Sequence, residues 1–229
     1  MDKVLGVIGG MSWTSTAVTY RRLNQGYQQL RGRLHSAPLV LWSFDFQPIE
    51  DLQRAGDWPT LAQRLAHAGQ RLHLAGADAL LLATNTMHKL ASPLQAASGL
   101  PLIHIADAAA HDIRAQGLDC VGLLGTRFTM TEDFYTRRLR ERGIEVLIPE
   151  ERDVAEVDRI IFEELCADQA LPASRTRLAE ISQRLADRGA QAVVLGCTEL
   201  PLLAGELPLP AIDTVESQVQ AALRWWSEG

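Results

Sequence analysis

Short apolar runs alternate along the chain with longer segments in which apolar residues recur at helical spacing. Such runs, several of them bounded by glycine or proline, predict buried strands of a mostly parallel sheet. The predicted strands are Val4–Ile8, Leu39–Phe44, Ala79–Leu82, Leu102–Ile105, Val121–Leu124, Glu145–Ile148, Val193–Leu195 and Ala211–Ile212. The predicted helices between them are Ser15–Leu30, Leu61–Leu74, Glu132–Arg142, Val154–Leu165, Ala173–Ala186 and Val215–Trp226. This alternation indicates an α/β fold.

Polar residues in front of three of these helices predict where the helices begin. Ser and Thr side chains favour the N-cap position because their oxygens accept hydrogen bonds from the first free amides of a helix. We expect Ser12 or Thr14 to cap the first helix, Thr131 to cap the helix at 132–142, and Asp213 or Thr214 to cap the last helix.

The chain also repeats itself after about half its length. Residues 70–86 resemble residues 183–199, and 5–10 resemble 121–126 in the same order. Chance recurrence of glycine, alanine and aliphatic runs is the alternative explanation. We predict two similar Rossmann-like lobes with mostly parallel sheets, related by a pseudo-twofold axis. The predicted boundaries are 1–98 plus 212–229 for the first lobe and 99–211 for the second, with the site in the cleft between them.

Composition and charge narrow the class of protein. The 229 residues are 47% hydrophobic and 22% charged, which is typical of a globular protein rather than a disordered one. With 22 Lys and Arg against 28 Asp and Glu, the net charge of -6 argues against a nucleic-acid partner, which would require a basic face. No apolar run approaches the roughly 18 residues of a membrane span, so we expect no membrane partner.

Cysteine usage and the first residues bear on the cellular compartment. The three cysteines, Cys120, Cys166 and Cys197, are odd in number and far apart, unlike a disulfide framework or a zinc site. No basic, apolar and cleavage regions of a signal peptide stand at the start of the sequence. We therefore expect a reduced, cytoplasmic protein, with Cys120 and Cys166 structural. No His, Cys or Asp spacing predicts a metal site.

The repeat points to two positions that carry chemistry. Thr84 and Cys197 are equivalent in the repeat, and each stands two residues after the last residue of a predicted strand. Ligands of open parallel sheets bind beyond the carboxyl ends of the strands. Two such side chains facing one cleft suit proton transfer on opposite faces of a planar carbon. The thiol is the better acid and base, because its reference pKa is roughly 8.5 whereas a threonine hydroxyl is far less acidic.

Three segments carry a family resemblance: Gly9-Gly10-Met11-Ser12-Trp13, Thr84-Asn85-Thr86-Met87-His88 and Gly196-Cys197-Thr198-Glu199. They resemble the aspartate/glutamate racemases, which are cofactor-independent, and the resemblance covers essentially the whole chain. Family members usually carry a cysteine at both strand ends, and these two thiols exchange the α-proton. This sequence has Thr84 at the first position, so it resembles the subgroup that prefers L-aspartate and L-glutamate.

The resemblance assigns roles to individual residues. It implies that Cys197 removes the α-proton of the L-enantiomer, and that Thr84 serves the other face directly or through a water. It implies a small-molecule amino acid as ligand and no cofactor. Dimerisation is common in the family, which makes a homodimer a candidate assembly. The residues expected to bind the α-carboxylate through amides and hydroxyls are Met11, Ser12, Asn85, Thr86, Thr126 and Thr198.

Recognition of the substrate side chain departs from the family pattern. Some aspartate racemases have basic residues in two regions that read Phe46-Gln47 and 162–166 here, and neither contains lysine or arginine. Strict aspartate specificity is therefore not expected, and other L-amino acids are allowed.

Several alternatives stay open at this stage. Cys197 has the alternative of being a small buried hydrophobic residue, and Thr84 that of capping a strand end. Two interpretations are open for His88: it adjusts the properties of the site, or it has a capping or surface role. Two other functions fit the same residues: a one-thiol decarboxylase or isomerase of small carboxylic acids, and a two-lobed amino-acid sensor without turnover.

Overall fold

The computed structural model describes residues 3–167 and 169–228. These residues form two compact units, and each has its own parallel sheet. The first unit contains the described residues up to His104 together with those from Gln218 onward, and the second is Ile105–Ser217. The α/β class with parallel sheets, predicted from the alternation of apolar runs and helical segments, is confirmed.

The sheet of the first unit has three strands in the order β2-β1-β3. Both neighbours of the central strand are parallel to it, and Ile8 lies opposite Trp42 on one side and Leu82 on the other. The strands are β1 (Leu5–Gly9), β2 (Leu39–Ser43) and β3 (Ala79–Leu82). The helices are α1 (Trp13–Arg31), α2 (Gln47–Ala55), α3 (Trp58–Leu74) and α4 (Ala91–Ser98). A 3-10 helix, Thr86–Leu90, precedes α4.

The sheet of the second unit has four strands in the order β5-β4-β6-β7. The strands are β4 (Cys120–Gly125), β5 (Glu145–Leu147), β6 (Ala192–Gly196) and β7 (Ala211–Asp213). The helices that begin in this unit are α5 (Ile105–Ala115), α6 (Arg127–Thr131), α7 (Asp133–Arg140), α8 (Glu151–Arg159), α9 (Pro172–Asp187) and α10 (Thr214–Ser227). A π-helical turn, Ile160–Glu164, follows α8 directly.

The two sheets share the arrangement of their first three strands. In each, the first strand of the unit is central, the second flanks one side and the third flanks the other. Thr84 follows β3 by two residues and Cys197 follows β6 directly, so both stand beyond the carboxyl end of the third strand. This matches the equivalence that the sequence repeat assigns to them.

Alternation of side chains along the strands builds the cores. On β6, Val193 and Leu195 pack into one hydrophobic cluster, whereas Ala192 and Val194 pack into another. Successive side chains of a strand point to opposite faces, so the second sheet is covered by apolar side chains on both sides. Such strands are apolar throughout, and this is why short apolar runs predicted them correctly.

One predicted strand is wrong. The segment Leu102–Ile105 was expected to be a strand, but only Leu102 forms an isolated parallel bridge, with Leu80. The chain then enters α5 at Ile105, where alanines at 106 and 108–110 favour helix. The apolar character of the segment was correctly recognised, but the helix begins before a strand can extend.

Two of the predicted helix starts are confirmed and one is wrong. The Ser12 hydroxyl accepts a hydrogen bond from the Ser15 amide at 3.5 Å, and Asp213 accepts bonds from the amides of Val215 and Glu216. Thr131 does not cap a helix. Its hydroxyl donates to the Arg127 carbonyl, whereas Thr126 caps the preceding turn.

None of the helices within residues 3–167 and 169–228 is long and apolar enough to cross a membrane. In the same ranges, no group of three or more His, Cys, Asp or Glu side chains is arranged to hold a metal ion.

Candidate functional site

The glycine loop after β1 holds the first pair of predicted binding residues. Gly10 has a φ of +86°, and a Cβ there would meet the backbone of Phe44, so only glycine fits. The Gly10 amide donates to Thr16 Oγ1 at 2.8 Å, and this hydroxyl donates to the Ser12 carbonyl at 2.7 Å. The loop is therefore tied back to the first turn of α1.

Met11 and Ser12 differ in what they offer a ligand. The Met11 side chain is buried in the hydrophobic cluster of the first unit. The Ser12 hydroxyl caps α1 and lies 2.7 Å from the Thr14 hydroxyl. Any contribution of Met11 to carboxylate binding would consequently come from its backbone, since its thioether belongs to the core.

The turn after β3 contains Thr84, Asn85 and Thr86, all of them buried. The Thr84 amide donates to the Leu82 carbonyl at 2.9 Å, and the 3-10 helix begins at Thr86. Because β1 and β3 are adjacent and parallel, this turn and the glycine loop stand at the same edge of the first sheet. The structure thus gathers all five predicted residues of the first unit at one edge.

A buried histidine supports this turn. The Nδ1 atom of His88 lies 2.7 Å from the Thr84 carbonyl oxygen, and the ring of His104 contacts the His88 ring edge to face. A role in tuning the site and a capping or surface role were both open for His88, and the residue is only 2% exposed. A surface role is therefore wrong, and the tuning role stays a prediction.

Two opposed glycines shape the corresponding edge of the second sheet. Gly125 of β4 pairs with Gly196 of β6, and a Cβ on Gly125 would lie 2.8 Å from the Gly196 carbonyl oxygen. Thr126 and Cys197 each follow one of these glycines. The two residues, together with Thr198, therefore start from one edge of the second sheet.

Cys197 has a carboxylate as its neighbour. Its Sγ donates to Glu199 Oε2 at 3.2 Å, and the Thr198 hydroxyl donates to the same oxygen at 2.6 Å. Both Cys197 and Glu199 are buried. Glu199 belongs to the segment Gly196-Cys197-Thr198-Glu199 but was not predicted as a site residue. An acidic residue two positions after the candidate cysteine and just before an apolar segment was the available signal.

The surroundings of Cys197 strongly favour the neutral thiol. Burial raises the pKa of Cys197 well above its ordinary value, and the negative charge of Glu199 raises it further. A hydrogen bond from the Glu199 amide acts in the opposite direction but is outweighed. Direct loss of the thiol proton to solvent is thus disfavoured, whereas transfer to the Glu199 carboxylate conserves the net charge of the buried pair.

The chain is similar to known proteins both in sequence and in structure. The family model described as Asp/Glu/Hydantoin racemase matches residues 8–222. A crystal structure of a Yersinia pestis protein, provisionally assigned as an Asp/Glu racemase, is 46% identical with a TM-score of 0.91, covering 98% of this chain and 99% of that one. An aspartate racemase homologue from Pyrococcus horikoshii OT3 is 32% identical with a TM-score of 0.82, covering 99% and 100%.

A more distant structure shares the fold. The aspartate racemase of Picrophilus torridus is 20% identical with a TM-score of 0.76, and the match covers 98% of this chain and 94% of that chain. At this level of identity the likeness concerns the fold alone.

Proposed function

Because the chain belongs to the Asp/Glu/Hydantoin racemase family and is an amino-acid racemase, we propose that it inverts acidic amino acids, favouring L-aspartate and L-glutamate. We further propose that it works without metal or organic cofactor. The observation that carries the proposal is the buried Cys197–Glu199 pair directly after β6. It combines an acidic hydrogen with an adjacent acceptor at the carboxyl end of a parallel strand.

In the proposed reaction, Cys197 becomes the base only after its proton moves to Glu199. The thiol already donates to the Glu199 carboxylate, so the shift needs no rearrangement of heavy atoms. The resulting thiolate takes the α-proton of the L-amino acid, and negative charge develops on the substrate. A nucleophile or base activated by an adjacent acceptor is a common device in proteins.

Thr84 is proposed to serve the opposite face of the same α-carbon. Its hydroxyl, or a water that it holds, donates a proton to the planar intermediate and regains one from solvent. A hydroxyl is a poor base, so this face is suited to giving a proton rather than taking one. The asymmetry between thiol and hydroxyl supports a preference for L-substrates.

The α-carboxylate is proposed to lie among backbone amides and hydroxyls. The proposed donors all stand just beyond strand ends. They are Asn85, Thr86, Thr126 and Thr198, together with the backbone of the Met11–Ser12 segment. Amides at strand-to-helix turns attract anions. The same donors would stabilise the charge that develops on deprotonation, because they are fixed before the reaction begins.

Side-chain specificity is proposed to be broad within the L-series. Phe46 and Gln47 occupy a region where some aspartate racemases have a basic residue. The side-chain amide of Gln47 donates a hydrogen bond to Asp51 Oδ1 at 2.8 Å. Because no lysine or arginine stands at this position, the side-chain carboxylate of a substrate gains less binding energy there than in those enzymes.

A single experiment tests the proposed function. Purified protein is incubated with a panel of L- and D-amino acids in deuterated water, and chirality and α-deuterium content are measured separately. We expect deuterium incorporation and inversion with L-aspartate and L-glutamate, undiminished by chelator and without added pyridoxal phosphate. Release of carbon dioxide would instead identify a decarboxylase. Binding without exchange would identify a sensor.

Replacing Glu199 by glutamine is expected to separate the acidity of Cys197 from its activity. Removing the carboxylate charge lowers the Cys197 pKa, so the thiolate appears at lower pH than in the wild type, although burial still holds it above the ordinary value. Exchange nevertheless falls about 10²-fold, because an amide cannot take up the proton. The thiolate is measured by its ultraviolet absorbance against pH, with Cys197→Ala as the blank.

Glu180→Gln is the matched control, because it removes a carboxylate from an exposed position in the same unit. It should leave both the titration and the exchange rate unchanged. A Glu199→Gln variant that exchanges at the wild-type rate, or whose thiol titrates at higher pH, would exclude the proposed proton transfer.

A further inference from the structure

We propose that His88 is a positioning residue for the Thr84 turn, held in its tautomer and orientation by the Thr84 carbonyl and by the ring of His104. The proposal rests on the proposed function, since it concerns the face of the substrate that Thr84 is proposed to serve. It assigns a role in the reaction to two buried histidines that the chemistry at Cys197 does not require.

The hydrogen bond to Thr84 defines the protonation of one ring nitrogen. The Thr84 carbonyl oxygen is an acceptor only, and Nδ1 of His88 lies 2.7 Å from it. Nδ1 must therefore carry a hydrogen, whether the ring is neutral or cationic. The imidazole therefore contacts the backbone of the residue, four positions earlier, whose hydroxyl is proposed to serve the second face of the substrate.

The ring of His88 is also fixed from its other surroundings. Its centroid lies 4.4 Å from that of His104, with the ring planes 62° apart, and both side chains are buried. An edge-to-face contact of this kind restrains rotation of a ring that a single hydrogen bond would leave free to swing.

His104 is in turn anchored to the strand that carries Thr84. The Leu80 carbonyl accepts a hydrogen bond from the Ile103 amide at 2.8 Å. The buried side chain of Gln218 then donates to the Ile103 carbonyl at 2.8 Å and to the Leu82 carbonyl at 3.4 Å. The end of β3, the segment before His104 and the His88 ring thus form one connected polar assembly within the first unit.

This arrangement matters more for a hydroxyl than it would for a thiol. A hydroxyl that delivers a proton must be held close to the intermediate, and small misplacement of a reacting group is costly in rate. His88 touches the Thr84 backbone rather than Cys197. Its loss should therefore slow delivery of the proton on the second face more than removal of the α-proton by Cys197.

The readout is the ratio of chiral inversion to α-deuterium exchange, both measured from L-aspartate or L-glutamate in deuterated water. Exchange reports the step at Cys197, and inversion additionally requires the step at Thr84. A histidine that merely stabilises the fold would lower both rates together and leave their ratio constant.

Two variants of His88 make the test specific. His88→Leu removes the donor while filling the space, and we expect the ratio of inversion to exchange to fall about tenfold. His88→Asn keeps an N–H donor near the position of Nδ1, and we expect it to retain most of the wild-type ratio. His73→Leu, at an exposed position of the same unit, should change nothing.

The outcomes separate this inference from the proposed function. A wild-type protein that exchanges no α-proton from any amino acid contradicts the proposed function itself. With exchange established, a folded His88→Leu variant with the wild-type ratio overturns the positioning role, as does an asparagine variant no better than leucine. If both His88 variants fail to fold, His104→Leu is measured in the same way, and an unchanged ratio there overturns the proposal.

Nitrogen-15 NMR of the wild-type protein provides an independent readout. We expect Nδ1 of His88 to carry a proton and to show scalar coupling to the Thr84 carbonyl carbon across the hydrogen bond. A resonance from an unprotonated Nδ1 in the active protein would contradict the proposed contact.

Discussion

Replacing Cys197 by alanine is expected to lower α-proton exchange from L-aspartate and L-glutamate by about 10²–10⁴-fold, the usual contribution of a general acid or base. The sulfur is the only atom of this side chain that can accept the α-proton, and alanine has no sulfur. Cys197 packs against a large hydrophobic cluster, so the smaller side chain should cost only about 1 kcal/mol of stability. Exchange is measured by mass spectrometry, and folding by circular dichroism.

Cys120→Ala is the matched control for this experiment. Cys120 opens β4, and therefore lies at the edge of the second sheet opposite to the one from which Cys197 starts. Its loss should leave exchange within about twofold of the wild type, as expected for a substitution away from the reacting groups. A well-folded Cys197→Ala protein with full exchange would remove Cys197 from the mechanism, and with it the role given to Glu199.

The strands were predictable wherever burial on both faces makes the sequence apolar throughout. Val121–Leu124 identified β4, which the structure extends by one residue at each end. The segment at 102–105 has the same apolar character, but its secondary structure depends on where α5 begins. A short apolar run does not distinguish a strand from the approach to a buried helix, because both bury the same side chains.

Several helices were harder to recognise. α2 was not predicted, although Pro48 stands in its first turn and Gly56 ends it in a left-handed conformation. The residues 105–115 were split between a strand and an unassigned segment because the periodicity of an alanine-rich helix is weak. Such elements are defined by packing against the sheet, which a local pattern of apolar residues does not report.

The strand-end positions of the candidate site residues were predictable, but the contacts that support these residues were not. The repeat was enough to identify Thr84 and Cys197 as equivalent strand-end residues, because the first three strands have the same order in both sheets. Glu199 and His88 were part of the quoted motifs, but glutamate and histidine are also common on solvent-exposed surfaces. Their burial arises from how the turns fold over the sheet edges, and it is burial that makes their hydrogen bonds chemically significant.

Replacing Thr84 by cysteine is expected to raise α-proton exchange from D-aspartate and D-glutamate by about 10²-fold, because a thiolate on the second face can act as a base where a hydroxyl cannot. Thr84 is buried and stands two residues beyond the end of β3, so a thiol there, like that of Cys197, lies at the carboxyl edge of a parallel sheet. Thr84→Ser keeps the hydroxyl while removing the methyl group, and it should retain the weak D-exchange of the wild type.

Thermodynamics decides how this result must be measured. The two enantiomers have equal free energy in achiral water, so the equilibrium constant is one and kcat/KM for inversion must be equal in both directions for every variant. A preference for L-substrates must therefore show in exchange with return to the same enantiomer, or in kcat and KM changing together. The test compares exchange and inversion for each enantiomer in wild type, Thr84→Ser and Thr84→Cys. Equal exchange from D- and L-substrates in the wild type, unchanged by the cysteine, would mean that Thr84 does not set the asymmetry of the site.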